Sequence, residues 1–150
     1  MTTFLGSMLL VGAILSCQTG FAQHSSGQVA EVQNGPNATA VKTFFTAFEK
    51  KDWSLIQGVL AEGFTFTSPV DDHISIKAFK ERCWPNAYKM KRIDLDKLVV
   101  NGNNVFIIYN GWTTDGKLFR NCENFKVKDG KISADECFFG TGINYPNSGK

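Results

Sequence analysis

The sequence predicts one α+β domain: three N-terminal helices covering one face of a curved antiparallel sheet. Three observations point there. Apolar residues recur three and four apart early in the chain, apolar and polar residues alternate through its second half, and Asn-Gly or Asp-Gly dipeptides punctuate that second half. With 150 residues there is room for one such domain and little else. Helix, helix, strand, helix and then a four-strand meander is the order of an α+β fold.

Val41, Phe44, Phe45 and Phe48 form one stripe of a helix beginning near Asn37 or Thr39. Asp52 is a suitable N-cap for a second helix, which turns Leu55, Ile56, Val59 and Leu60 inward and stops at Gly63. Phe64 to Ser68 alternates with period two and reads as a short strand that Pro69 ends. A loop with Asp71, Asp72 and His73 leads to a third helix over Ser75 to Cys83, closed by Trp84-Pro85 because proline disfavours a helical residue before it. Strands follow over Ile93 to Val100, Val105 to Thr114, Lys117 to Lys128 and Lys131 to Phe139, separated by Asn101-Gly102, Asp115-Gly116 and Asp129-Gly130. Those dipeptides supply the positive φ angles of tight hairpin turns.

The first 22 residues differ in kind. They carry no charged side chain, Phe4 to Leu15 is mostly apolar, and Gly20 and Ala22 place small residues where a signal peptidase needs them. The apolar run falls short of the roughly 20 residues of a permanent membrane span. The chain therefore divides into a signal peptide (1–22), a Gly/Ser/Gln/Asn-rich arm (23–37), the domain (38–140) and a tail (141–150), with a secreted or periplasmic product. A second route treats Ile14-Leu15-Ser16-Cys17 as a lipoprotein box with Cys17 acylated; Ile14 stands where such boxes usually carry Leu, so cleavage before Gln23 is the expected route.

A net charge of +2 gives no electrostatic footprint for nucleic acid, and Lys91 to Lys97 alternates bases with acids as a solvated strand face does. His24 lies in the arm and His73 stands alone in the domain, so no zinc or haem spacing exists; no metal and no cofactor are expected. Neither a Gly-rich phosphate loop nor a nucleophile elbow is present. Thirteen phenylalanines suit either a Phe-rich core or an apolar cavity.

The segment Ala40 to Phe48, then Lys51-Asp52-Trp53, then Phe66-Thr67-Ser68-Pro69, resembles the opening of nuclear transport factor 2-like (SnoaL-like) proteins. Asp129-Gly130-Lys131-Ile132 followed by Phe138-Phe139-Gly140 is similar to that superfamily's final hairpin. The resemblance implies a cone-shaped pocket between sheet and helices. It leaves function open, because the fold hosts isomerases, dehydratases, cyclases, hydrolases and binding modules. The superfamily's steroid isomerases place a tyrosine, an aspartate and a second acid where this chain has Phe44, Ser68 and Glu123. Only the third position keeps an acid, so that chemistry is not expected here.

Treating both Asp-Gly pairs as two-residue turns sets which residues share a face. Asn110 then pairs with Asn121, Ile108 with Glu123, Glu123 with Glu136, and Asn121 with Phe138. On this register the inward face carries Phe106, Ile108, Trp112, Phe119, Phe125, Val127, Ile132, Ala134 and Phe138, with Asn110, Asn121, Glu123 and Glu136 clustered toward one end. Together with Phe44, Phe66 and Ser68, these residues form the expected ligand-binding set: Phe44, Phe66, Ser68, Asn110, Trp112, Asn121, Phe125 and Phe138. Glu123 and Glu136 are the candidate proton-transfer residues, since opposed carboxyls split their pKa values. The alternative is a rim in which the amides satisfy each other and the glutamates reach water.

The same register puts Cys122 opposite Cys137 on the outward face, where an exported protein would join them as a disulfide; the alternative is two reduced thiols. Val105, Ile107, Tyr109 and Leu118 would form an apolar outer stripe suited to a homodimer. Two function classes follow. One is an exported module that binds a small apolar molecule. The other is a lyase- or isomerase-type enzyme, cyclase- or dehydratase-like, using Glu123 or Glu136.

Overall fold

The computed structural model of the chain describes residues 34–139. The expected signal peptide (1–22) with Cys17, most of the expected arm (23–37) and the expected tail (141–150) lie outside the described residues.

Helix α1 (Pro36–Lys50) begins on Pro36, whose fixed φ suits a first turn, and buries Val41, Phe44, Phe45 and Ala47. It ends on Lys51 in the left-handed region (φ 58°), and the Lys51 ammonium donates to the carbonyls of Glu49 and Met90 at 2.8 and 2.6 Å. Asp52 caps α2 (Trp53–Val59), accepting from the Ser54 amide at 2.9 Å. Leu60 already belongs to strand β1 (Leu60–Ser68). Gly63 is therefore an irregularity within β1 (φ 75°) rather than the helix stop that its position suggested.

Asp71, Asp72 and His73 also depart from expectation. They form a short edge strand, β2 (Asp71–Ser75), antiparallel to β1. Ser75 then caps α3 (Ile76–Arg82), and a 3-10 turn (Trp84–Lys89) follows at the expected Trp84-Pro85 stop. The chain continues as β3 (Met90–Asn101), β4 (Asn104–Thr113), β5 (Leu118–Lys128) and β6 (Lys131–Phe138). The six strands lie in the order β2-β1-β6-β5-β4-β3. All pairs are antiparallel except β1 with β6, which is parallel, so the sheet is mixed.

The two Asp-Gly turns differ, and the difference re-aims the sheet. At Asp129-Gly130 both residues have positive φ (51° and 73°), as a two-residue type I′ turn requires, and Lys128 pairs with Lys131. At the other hairpin Gly116 alone is left-handed (φ 85°), and the Thr113 amide donates to the Lys117 carbonyl at 2.9 Å. The loop is thus three residues, Thr114-Asp115-Gly116, a type I turn followed by a left-handed glycine. Tyr109 now faces Asn121, Ile107 faces Glu123 and Gly111 faces Phe119. A one-residue change of register moves every side chain to the other face. Val105, Ile107 and Tyr109 consequently point into the core, and Phe106, Ile108, Asn110 and Trp112 point out, the reverse of the sequence expectation.

A second slip occurs on β6. Val127 pairs with Ile132 as expected, but Lys126 pairs with Ala134, leaving Ser133 as a bulge. Beyond it Asp135 and Cys137 turn inward, while Glu136 and Phe138 turn out.

Candidate active site

A cavity of about 560 Å³ opens between the concave face of the sheet and helices α1 and α3. Its helical wall is aromatic. Phe44, Phe48 and Phe79 touch one another with ring centroids 5.3 to 6.4 Å apart, and Phe66 from β1 lies 5.0 Å from Phe79. Phe119 closes the sheet side. Its ring sits over Gly111, where any Cβ would come within 2.1 Å of it, so glycine is required for that ring position.

The sheet wall is polar at its inner end. The Tyr109 hydroxyl donates to Glu123 Oε1 at 2.8 Å and accepts from Asn121 Nδ2 at 3.0 Å, while the Cys137 thiol lies 3.1 Å from the same Glu123 oxygen. Glu123 Oε2 and both carboxyl oxygens of Asp135 are buried with no hydrogen-bond partner. Asp135 packs between Phe66 on β1 and Phe125 on β5, its register partners, diagonal to Glu123. Burial raises Glu123 from 4.5 to about 7, against the pull of the Tyr109 and Cys137 donors. Burial also pushes Asp135 well above the usual aspartate range, and the charges of Glu123 and Glu136 push it further. Two carboxyls this close resist ionising together, so the pair retains a proton at neutral pH. Tyr109 is raised by burial and by Glu123, and so stays a neutral donor.

At the mouth, Arg82 on α3 bonds Asp71 on β2 at 2.5 Å and ties the helix to the sheet edge. Cys83 follows it into the cavity wall, its thiol raised to about 11, chiefly by burial and then by Asp71. No group of side chains among the described residues is arranged to hold a metal ion.

Of the residues expected at a site, Phe44, Phe66, Ser68, Asn121 and Glu123 line this cavity. Phe125 is fully buried beneath it, its ring 5.3 Å from that of Phe44. Four others are placed elsewhere by the two register shifts. Trp112 lies on the outer face under the Arg92 guanidinium, 4.0 Å from its ring centre. Asn110 sits on that face opposite Asp94 and Arg120. Glu136 accepts from Asn124 there at 3.2 Å, and Phe138 is 58% exposed. The expected disulfide is absent. Cys122 pairs with Phe138 on the outward face, Cys137 pairs with Glu123 on the inward face, and both are free thiols. The inferred outer stripe is corrected as well: Val105, Ile107 and Tyr109 are core, while Leu118, Val99, Phe106 and Phe138 are exposed, Val99 beside Phe106 and Leu118 at the far end of its strand.

Sequence reasoning missed Tyr109, Asp135 and Cys137. Gly111 held a signal for the first, because a lone glycine inside a strand marks a close approach, here by Phe119. That pairing alone would have fixed the parity of β4.

The SnoaL-like domain family matches residues 41–134, which span both helical walls and most of the sheet. The chain belongs to the SnoaL-like domain family. No curated protein sequence matches it. Among solved structures it is similar to a nuclear transport factor 2-like protein of unknown function from Cytophaga hutchinsonii (24% identity, TM-score 0.56, covering 69% of this chain and 89% of that one). It is similar as well to an LEH-like epoxide hydrolase from M. tuberculosis (16%, TM-score 0.60, 70% and 83%). A third, TerC co-crystallised with polyporic acid, matches at 18% identity and TM-score 0.57, covering 71% and 93%. At these identities the likeness carries the α+β cone fold of the SnoaL-like domain and not an activity.

Proposed function

We propose that this SnoaL-like domain binds a small, largely apolar molecule in the cavity between α1, α3 and the sheet. The observation that supports it most is the cavity's makeup: about 560 Å³, walled by phenylalanines, with a few polar groups gathered at its inner end. Small-molecule sites have that size and that composition. Mass spectrometry of the purified chain under native conditions tests the reading. A bound hydrophobic molecule, released when Phe66 is changed to Trp to fill the cavity, supports it. A chain that stays free of ligand and ignores a panel of hydrophobic compounds contradicts it.

The Glu123 site favours a second, enzymatic reading of the lyase or isomerase type. A carboxyl raised to about 7, with Tyr109 and Cys137 holding one oxygen and the other unpartnered, suits proton transfer near neutral pH. Glu123→Gln keeps the shape and removes the ionisation. Turnover of a cavity ligand should then fall by about 10²-fold or more; an undiminished rate rules Glu123 out as the acid or base.

We further propose export, with the mature chain starting at Gln23, and self-association through the outer sheet face around Phe106, Leu118 and Phe138. N-terminal sequencing from the native host tests the first, and a blocked terminus at Cys17 would indicate the lipoprotein form. Light scattering of wild type against Phe106→Lys tests the second, a dimer turned monomer being the supporting result.

A further inference from the structure

Three carboxyl oxygens in the cavity wall, Glu123 Oε2 and Asp135 Oδ1 and Oδ2, are buried with no donor. Leaving even one buried polar group unsatisfied is costly, and three in one place call for an explanation. No cation answers them from within the described residues. Arg82 and Lys89 line the same cavity; Arg82 is held by Asp71, Lys89 donates to Asn86 at 3.4 Å, and neither forms an ion pair with Glu123 or Asp135. Tyr109 and Cys137 both spend their donors on the other Glu123 oxygen. A metal ion does not fit either, since no set of side chains there has the arrangement of a metal site.

The proton that the two carboxyls retain at neutral pH answers at most one of these oxygens, so donors are still wanted from a ligand. We propose that the cavity selects an organic cation, a primary or secondary amine on an apolar body, whose ammonium sits between Glu123 and Asp135 while its body lies among the phenylalanine rings; this rests on the reading of the cavity as a small-molecule site. A primary ammonium carries three N–H donors, enough for the oxygens that the retained proton leaves unanswered. Phe44, Phe66 and Phe119 line the same cavity, and aromatic rings attract a cation through their faces, more strongly where water is excluded. A neutral ligand with one hydroxyl would leave most of these oxygens unanswered, and a carboxylate would meet like charge.

Three naphthalenes that differ only in their head group test this: 1-naphthylmethylamine, 1-naphthalenemethanol and 1-naphthoate, titrated into the full chain at neutral pH and followed by calorimetry. The amine should bind about 10-fold or more tighter than the alcohol, the scale of a hydrogen bond to a charged group, with naphthoate weakest. Asp135→Asn and Glu123→Gln should each bring the amine within about 3-fold of the alcohol, with near-ultraviolet circular dichroism matching wild type as the separate check that the variants are folded. If the alcohol or the naphthoate binds wild type as tightly as the amine, the inference is overturned and the cavity reading stands. If the amine preference survives both substitutions, the cation is held elsewhere and the inference is likewise overturned. If none of the three binds, the inference and the reading it rests on fall together.

Discussion

The hairpins at Asp115-Gly116 and Asp129-Gly130 start from the same dipeptide and do different things. In the second, both residues take positive φ and the strands meet directly across the turn. In the first, only Gly116 does, Thr114 joins the loop, and the Thr113 hydroxyl bonds both Asp115 and the Lys117 amide. That extra loop residue decides which half of β4 faces the cavity. Turn chemistry at two residues thus sets the contents of a site far from the turn, because parity propagates along a strand.

The sharpest way to break this comparison is to truncate neighbours on β4. Ile107 is fully buried and Phe106 is 43% exposed, so Ile107→Ala should cost about 2–5 kcal/mol in denaturant unfolding. Phe106→Ala should cost no more than about 0.5 kcal/mol in a monomeric sample. The reverse order of costs would restore the two-residue turn and empty the site of Tyr109.

Next in size is the pH dependence that the inward register gives Glu123. Its folded value of about 7 lies above its ordinary 4.5, so the folded chain holds an extra proton between them. The stabilisation is full below about 4.5 and lost as pH rises through about 7. The loss is on the order of 3 kcal/mol. Glu123→Gln should flatten the fall in stability across that window, leaving the part due to Asp135. An unchanged profile would mean that Glu123 is solvated.

Gly111→Ala should have the smaller effect of about 1–3 kcal/mol, as overpacking usually does. The new methyl would displace the Phe119 ring, which half closes the cavity, so ligand affinity should change along with stability. A neutral Gly111→Ala would show that Phe119 does not lie over that position.

The helices were legible because their signals are local. The stripe of Val41, Phe44 and Phe45, the Asp52 cap and the Trp84-Pro85 stop each act within one or two turns of chain. Residues 105–109 were ambiguous because Val105, Phe106, Ile107, Ile108 and Tyr109 are all apolar or amphipathic, so alternation offered no choice of face. Glu123 was placed inward correctly, since the turn at Asp129-Gly130 controls its strand. Asp135 was not, because the bulge at Ser133 depends on how β6 fits between β1 and β5, which no local pattern announces. The site is therefore half readable: its helical rings and Glu123 follow from local signals, Tyr109 and Asp135 from details of register.

The account stands on Glu123 and Asp135 being buried together on the cavity face, and the direct measurement is a carbon-13 NMR titration of the Glu123 side-chain carboxyl in the folded chain. The structure predicts a midpoint near 7, raised by burial against the Tyr109 and Cys137 donors. A midpoint near 4.5 would place Glu123 in solvent and contradict the register, the site and the ligand chemistry drawn from them.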